Sequence, residues 1–267
     1  MADEYQFIAG LNHLYIDDEF NQTALGGTYF LDKAQTKGPK DFFGFNPRLN
    51  MVQASVNLPN SNEYALFGEQ EGALLLGGSQ NFNDWQVRGS FFQQNFEVAE
   101  SSQWHLGVDY FFNANWSAGI SYTENTLELT GDVFDHWSGN KRTSDDIDLY
   151  VRYEMQLSGD DTLAFQVGDA ETGGISNADV NVQYFNNLGN DTYLKFQVGY
   201  EEQSNTLITG AGYYFSVNTG VDILLADEEV AQLGVSHFFN RNYRITANVL
   251  MPFEDDQAYQ VSFQGYF

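Results

Sequence analysis

Tyr259-Gln260-Val261-Ser262-Phe263-Gln264-Gly265-Tyr266-Phe267 is the stretch on which the reading of this sequence turns. At period two, one face carries Tyr259, Val261, Phe263, Gly265 and Phe267, and the other carries Gln260, Ser262, Gln264 and Tyr266. Successive side chains of a strand point to opposite faces. The stretch therefore predicts a strand with one apolar face and one face of amides and hydroxyls. Such a strand suits a wall with lipid on one side and water on the other.

Working outward, the same alternation recurs. Leu233, Val235, His237 and Phe239 turn at Arg241-Asn242 into Tyr243, Ile245, Ala247, Val249 and Met251. Thr209, Ala211, Tyr213 and Phe215 turn at Val217-Asn218-Thr219 into Val221, Ile223 and Leu225. Val180, Val182 and Tyr184 turn through residues 187–190 into Leu194, Phe196, Val198 and Tyr200. Ile147, Leu149, Val151, Tyr153 and Met155 turn at Ser158-Gly159-Asp160 into Leu163, Phe165 and Val167. Trp104, Leu106, Val108, Tyr110 and Phe112 turn at Asn113-Ala114-Asn115 into Trp116, Ala118, Ile120 and Tyr122, preceded by Trp85, Val87, Gly89 and Phe91. Near the start, Tyr5, Phe7, Ala9 and Leu11 are answered by Thr23, Leu25, Gly27, Tyr29 and Leu31. A connection over residues 33–50 follows, holding Gly38, Pro39, Phe42, Phe43, Phe45 and Pro47. All four prolines fall outside the alternating runs, where ladder hydrogen bonds are not needed.

The turns are built from Asn, Asp, Gly and Ser, the residues that reach hairpin backbone conformations. Aromatic clusters stand just before them: Tyr110-Phe111-Phe112, Tyr184-Phe185, Tyr213-Tyr214-Phe215 and Phe238-Phe239. Aromatics gathered at one end of successive hairpins are expected at a water–lipid boundary. Longer acidic connections alternate with the short turns, over residues 58–72 and 127–145, with briefer ones at 97–102, 201–205, 227–230 and 254–257. The expected fold is all-β, a transmembrane antiparallel up-and-down β-barrel occupying residues 1–267 as a single domain, with short periplasmic turns and longer extracellular loops. The runs number about sixteen strands, an even count that returns both termini to the short-turn side. Fourteen is the alternative, because Leu74-Leu75-Leu76-Gly77-Gly78 does not fix its own register.

Composition narrows the function classes. The chain has 37 acidic residues against 11 basic ones, a formal net charge of −26, which argues against nucleic-acid binding. Its 23 Phe, 16 Tyr and 25 Gly are wrong for a disordered acidic chain. Cysteine is absent, so neither a disulfide framework nor a thiolate metal site is expected. No apolar run approaches the roughly 20 residues a membrane helix needs. The mean hydropathy of −0.39 does not decide against a membrane, because only alternate residues of a barrel meet lipid. Met1-Ala2-Asp3-Glu4 runs straight into strand-like sequence. Residence in the bacterial outer membrane is the expectation, after removal of a signal peptide not present in this chain.

Over its whole length the chain resembles a bacterial outer-membrane porin. The final Phe267, with aromatic or apolar residues at alternate upstream positions, is the usual ending of such barrels. Tyr29-Phe30-Leu31-Asp32, then Gly38-Pro39 and the Phe-rich stretch before Asn50, are similar to a group of general porins of gammaproteobacteria. The resemblance implies an aqueous channel for passive diffusion and supplies neither a substrate nor site residues.

A barrel of this strand number leaves a water-filled lumen. The pore-lining charges expected from the alternation are Arg88, His105, Asp109, Asp148, Arg152, Glu154, Asp179, Lys195, Asp222 and Arg244. Both signs occur, so solutes are sorted by size and charge. Most of the −26 must then lie in loops, giving a negative vestibule and a mild preference for cations. The connection over residues 127–145 places Asp132, Asp135, His136, Lys141 and Arg142 at the pore mouth. Trimeric general porins narrow their channel with a loop after the fifth strand. The matching connection here, residues 97–102, is too short, so a monomer is favoured over a trimer. Expected partners are outer-membrane lipid, lipopolysaccharide and small hydrophilic solutes and ions. No cofactor and no metal site are expected, and no EF-hand spacing is present.

The rival class is a barrel hydrolase of lipase or esterase type. Pairing across the Asn113–Asn115 turn sets His105 one diagonal step from Ser121, both inward, within reach of a nucleophile–base pair. No third, orienting group is evident, so the chain is read as a channel and not an enzyme. A non-conducting adhesion or structural barrel is the third alternative.

Overall fold

The computed structural model describes residues 4–16, 20–36, 39, 48–59, 70–129, 141–157, 161–168, 180–201, 206–226, 230–252 and 257–267. Sixteen strands follow in order: β1 (Glu4–Ile16), β2 (Phe20–Gln35), β3 (Met51–Pro59), β4 (Gln70–Phe82), β5 (Trp85–Phe96), β6 (Ala99–Phe111), β7 (Trp116–Leu129), β8 (Lys141–Gln156), β9 (Thr162–Gly168), β10 (Val180–Gly189), β11 (Thr192–Glu201), β12 (Thr206–Ser216), β13 (Thr219–Ala226), β14 (Val230–Phe238), β15 (Tyr243–Pro252) and β16 (Ala258–Tyr266). Each pairs antiparallel with its neighbours in sequence, and β1 pairs with β16, so the sheet closes on itself. A closed sheet leaves no edge strand exposed.

Closure is made by the stretch first quoted. Ile8 faces Tyr266 and the register runs without a shift to Ile16 opposite Ala258. The Phe267 carbonyl accepts from the amides of Gln6 and Phe7, and the Phe267 amide donates back to the Phe7 carbonyl. The uncertain Leu74–Leu76 run is fixed by its neighbours: Leu74 faces Val56 and Leu76 faces Ala54, so both point outward, while Leu75 faces Ser55 and points inward. That register gives sixteen strands.

The short turns are held by local chemistry. The Asn113 side-chain oxygen accepts from the amides of Asn115 and Trp116, and Asn240 does the same for Asn242 and Tyr243. Asn83, Asn190 and Asp191 adopt positive φ, which Asn and Asp tolerate better than other residues with a side chain.

Several connections are shorter than the sequence suggests. β5 and β6 are joined at Glu97 and Val98, and residues 99–102 already pair with β5. β7 runs to Leu129 and β8 begins at Lys141, with Leu127 opposite Arg142 and Glu128 opposite Lys141. Lys141 and Arg142 are therefore strand residues and not loop residues. The reason is that polar residues continue a ladder readily once the strands leave lipid, so loss of apolar alternation does not mark where pairing stops. Asp132, Asp135 and His136 lie outside the described residues.

Candidate transport lumen

The two faces of the wall have opposite chemistry. Leu106, Ile120, Ile147, Leu149, Val167, Val235 and Phe263 are exposed on the outside, an arrangement that lipid and not water accommodates. Near the rim that carries both chain ends, outward aromatics pack in groups. Trp85 meets Tyr110 and Tyr110 meets Phe112, while Trp116 meets Tyr153 and Tyr213 meets Phe215.

The aromatic clusters are divided between the two faces, which corrects the reading of them as one boundary belt. Adjacent strand residues cannot share a face. Tyr110, Phe112, Tyr213, Phe215 and Phe239 point outward, whereas Phe111, Phe185, Tyr214 and Phe238 point inward. The inward set is joined by Tyr5, Phe30, Tyr193 and Tyr266, and all but Tyr214 are buried. Tyr5 packs edge-on against Tyr266, and Phe238 sits 5.1 Å from the same ring. Phe185 stacks on Tyr193 at 5.4 Å. An inner collar of rings thus narrows this mouth at the level where outer rings meet the membrane boundary.

The described ends of the β2–β3 connection lie against that collar. Thr36 and Pro39 are buried. The Arg48 guanidinium stacks 3.6 Å from the Phe111 ring and donates to the Asn113 carbonyl. The Leu49 carbonyl accepts from Ser79 and from Gln86. Asn50 bonds Asp32 and the Asn81 amide. Residues 48–50 therefore run inside the mouth along β4, β5 and β6.

Three of the expected pore charges meet in one buried cluster. Asp109 is 0 % exposed; Arg88 Nε lies 3.5 Å from one of its oxygens and Arg152 Nη1 3.6 Å from the other. Tyr150 donates its hydroxyl proton to Asp109 and accepts from Arg88. Both guanidinium groups lie over its ring, at 5.2 and 4.6 Å, and Arg152 Nε also donates to Gln166. Two glycines make room: a Cβ on Gly107 would stand 2.6 Å from Arg88 Nε, and one on Gly119 2.2 Å from the Tyr150 ring. Burying charges is costly unless they are paired and hydrogen-bonded; here Asp109 sits between two guanidinium groups and accepts from Tyr150, while its second oxygen and Arg88 Nε make an ion pair without a hydrogen bond. Tyr150 was missed in the sequence reading; its inward position between Asp148 and Arg152 was the signal available.

The remaining candidates are spread out. Ser121 donates to Asp148 at 3.4 Å. His105 stands opposite Thr123, its Nδ1 3.1 Å from the threonine hydroxyl, while Ser121 stands opposite Gly107. Glu154 lies inward on β8 near the same mouth, its backbone amide bonded to the Asn115 carbonyl. Arg244 donates to Gln264 and lies 5.9 Å from the Phe238 ring. Lys195 and Asp222 line a cavity of about 260 Å³ between β11 and β14. Asp179 lies outside the described residues. On β16 and β1–β4, Asn12, Thr28, Gln53, Ser55, Ser262 and Gln264 line a second cavity of about 300 Å³, whose lining carries no charged side chain.

Residues 1–265 match the family model described as "Putative general bacterial porin". Among solved structures, the outer membrane protein Omp33 of Acinetobacter baumannii is similar at 15 % identity, with 99 % of each chain covered and a TM-score of 0.56. CdiB from Acinetobacter baumannii aligns with a TM-score of 0.59 at 11 % identity, over 98 % of this chain and 60 % of that one. At these identities the likeness carries the barrel fold alone. No curated protein matches the chain.

Proposed function

The chain belongs to the general bacterial porin family, and from that premise we propose that it forms a water-filled outer-membrane channel for passive diffusion of ions and small hydrophilic solutes. The observation that carries this reading is the division of the closed wall into an apolar outside and an inside of amides, hydroxyls and ions. Family membership points to a channel and not to an enzyme. Ser121 donates to Asp148, and His105 meets Thr123 one diagonal step away.

A mild preference for cations is part of the proposal. Pore charges of both signs offset one another locally, as in the Arg88–Asp109–Arg152 cluster, so the excess of 37 acidic over 11 basic residues acts from the rims and is screened by salt. Outer-membrane lipid and lipopolysaccharide are the proposed surroundings of the apolar face. A monomer is favoured, because the two-residue Glu97–Val98 turn leaves the fifth connection no length to fold inward.

Planar-bilayer recording of the detergent-purified protein tests the reading. Discrete conductance steps are expected, with a reversal potential in a KCl gradient displaced toward potassium. Bilayers without steps would overturn the channel, and displacement toward chloride would overturn the selectivity. Arg48→Ala is expected to raise the conductance, because it frees residues 48–50 from the Phe111 ring; the interaction lost is worth about 0.5–2 kcal/mol.

A further inference from the structure

The cavity on β16 and β1–β4 is a trough in the inner wall, halfway along β1. Its floor is Gly10 beside Gly26, which face each other across the β1–β2 pair. Gln264 stands opposite Gly10 on one side, and Ser55 opposite Gly26 on the other. A Cβ on Gly10 would stand 3.2 Å from Gln264 Cγ, and one on Gly26 2.9 Å from Ser55 Cβ. These two side chains therefore lean in over the floor and close its ends. The neighbouring rows close its sides, with Ser262 opposite Asn12 toward the longer loops and Thr28 opposite Gln53 toward the aromatic collar. Gln53 leans outward from the trough, its Nε2 3.1 Å from the point a Cβ on Gly77 would occupy.

The groups that face the trough are only half used. The Gln264 side-chain oxygen accepts from Arg244 and from the Tyr266 hydroxyl, and the Asn12 oxygen accepts from Ser262. Among the described residues neither carboxamide NH2 group has an acceptor, and the Thr28 and Ser55 hydroxyls have no partner. No charged side chain lines the cavity. Arg244 acts on it only through Gln264, whose amide it polarises toward donation. A ligand here must accept from two amides and exchange hydrogen bonds with two hydroxyls. A hydroxyl group gives and accepts at one atom, whereas a full charge would leave water for partners that carry only partial charges.

We propose that this trough is a selectivity site for neutral polyhydroxylated solutes of one-ring size, the monosaccharide and cyclic polyol class. The proposal deepens the channel reading and rests on it for its role in transport. Asn12 and Gln264 donate to ring hydroxyls, and Thr28 and Ser55 exchange hydrogen bonds with the hydroxyls beside them. The glycine floor lets the ring lie against the main chain, and Ile8, Ala24 and Leu75 of the same lining meet its C–H faces. A volume of about 300 Å³ stands at the lower end of small-molecule sites, which span about 300–1,000 Å³, and suits a single ring.

The test uses the full chain in a detergent without a sugar headgroup, at mildly acidic pH. Four six-membered-ring ligands are compared: D-glucose, D-glucuronate, protonated D-glucosamine and tetrahydropyran-2-methanol. Binding is read by saturation-transfer NMR. Glucose is expected to bind at least about fivefold tighter than each of the others, with Asn12→Leu and Thr28→Val each weakening it about fivefold, the effect of one hydrogen bond apiece. Equal binding of all four ligands, tighter binding of glucuronate, or glucose binding unchanged in both variants would overturn the proposal. Heat-modifiable mobility on gels reports whether each variant is folded; if neither folds, the wild-type ligand series decides alone. Liposome swelling separates this site from the channel reading. If all four solutes enter liposomes while glucose shows no advantage in binding, the site fails and the channel stands. If glucose binds in the expected order but no solute enters, the channel fails and the site stands.

Discussion

The wall from β5 to β9 and the wall from β11 to β14 obey the same alternation, yet one is packed and the other open. In the first, long side chains fold down onto glycines: Arg88 covers Gly107 and Tyr150 covers Gly119. Asp109, Ser117 and Ser121 are fully shielded as a result. In the second, Gln197 overlies Gly210 and Asp222 overlies Gly234, but a Cβ on Gly212 would meet nothing closer than 3.7 Å, and a cavity remains there. An inward glycine therefore has two opposite uses. Beside a long partner able to lie flat it closes the lumen, and without one it widens it.

Substitutions can break that contrast, the largest effect coming from the packed wall. Asp109→Ala leaves two guanidinium groups facing each other with no carboxylate between them. Unfolding in denaturant with lipid present should show a loss of about 3–5 kcal/mol; a loss below 1 kcal/mol would mean the cluster is solvated. Gly119→Ala comes next, because its methyl group occupies the place of the Tyr150 ring. A cost of about 1–3 kcal/mol is expected, largely relieved when Tyr150→Ala is added, and a double-mutant cycle measures the coupling. Gly212→Ala on the open wall should stay within about 0.5 kcal/mol. Equal costs at Gly119 and Gly212 would erase the distinction between the walls.

Much of this architecture was legible because a barrel writes its register twice, once in each strand of a pair. The Leu74–Leu76 run was unreadable alone and became definite only against Ser55 and Ala54. The inward positions of Arg88, Asp109 and Arg152 followed from period two. Their meeting did not, because it depends on how far each side chain bends across its neighbours and on the glycines that let it. Strand ends were hidden for a different reason. Residues 100–102 and 141–145 are polar on both faces, so pairing continues where the apolar signal stops. The inner collar was obscured by its own outer half: Phe111, Phe185, Tyr214 and Phe238 read as membrane-boundary residues because Tyr110, Tyr184, Tyr213 and Phe239 beside them do.

That interleaving ties two properties together. The letters that fix how deeply the barrel sits in its bilayer are spelled side by side with those that fix the bore of its exit. Deleting one residue upstream of Phe111 within β6 would exchange the two duties, turning an anchor into a stopper and a stopper into an anchor. Seating and aperture are thus inherited as one trait, and drift in either is constrained by the other.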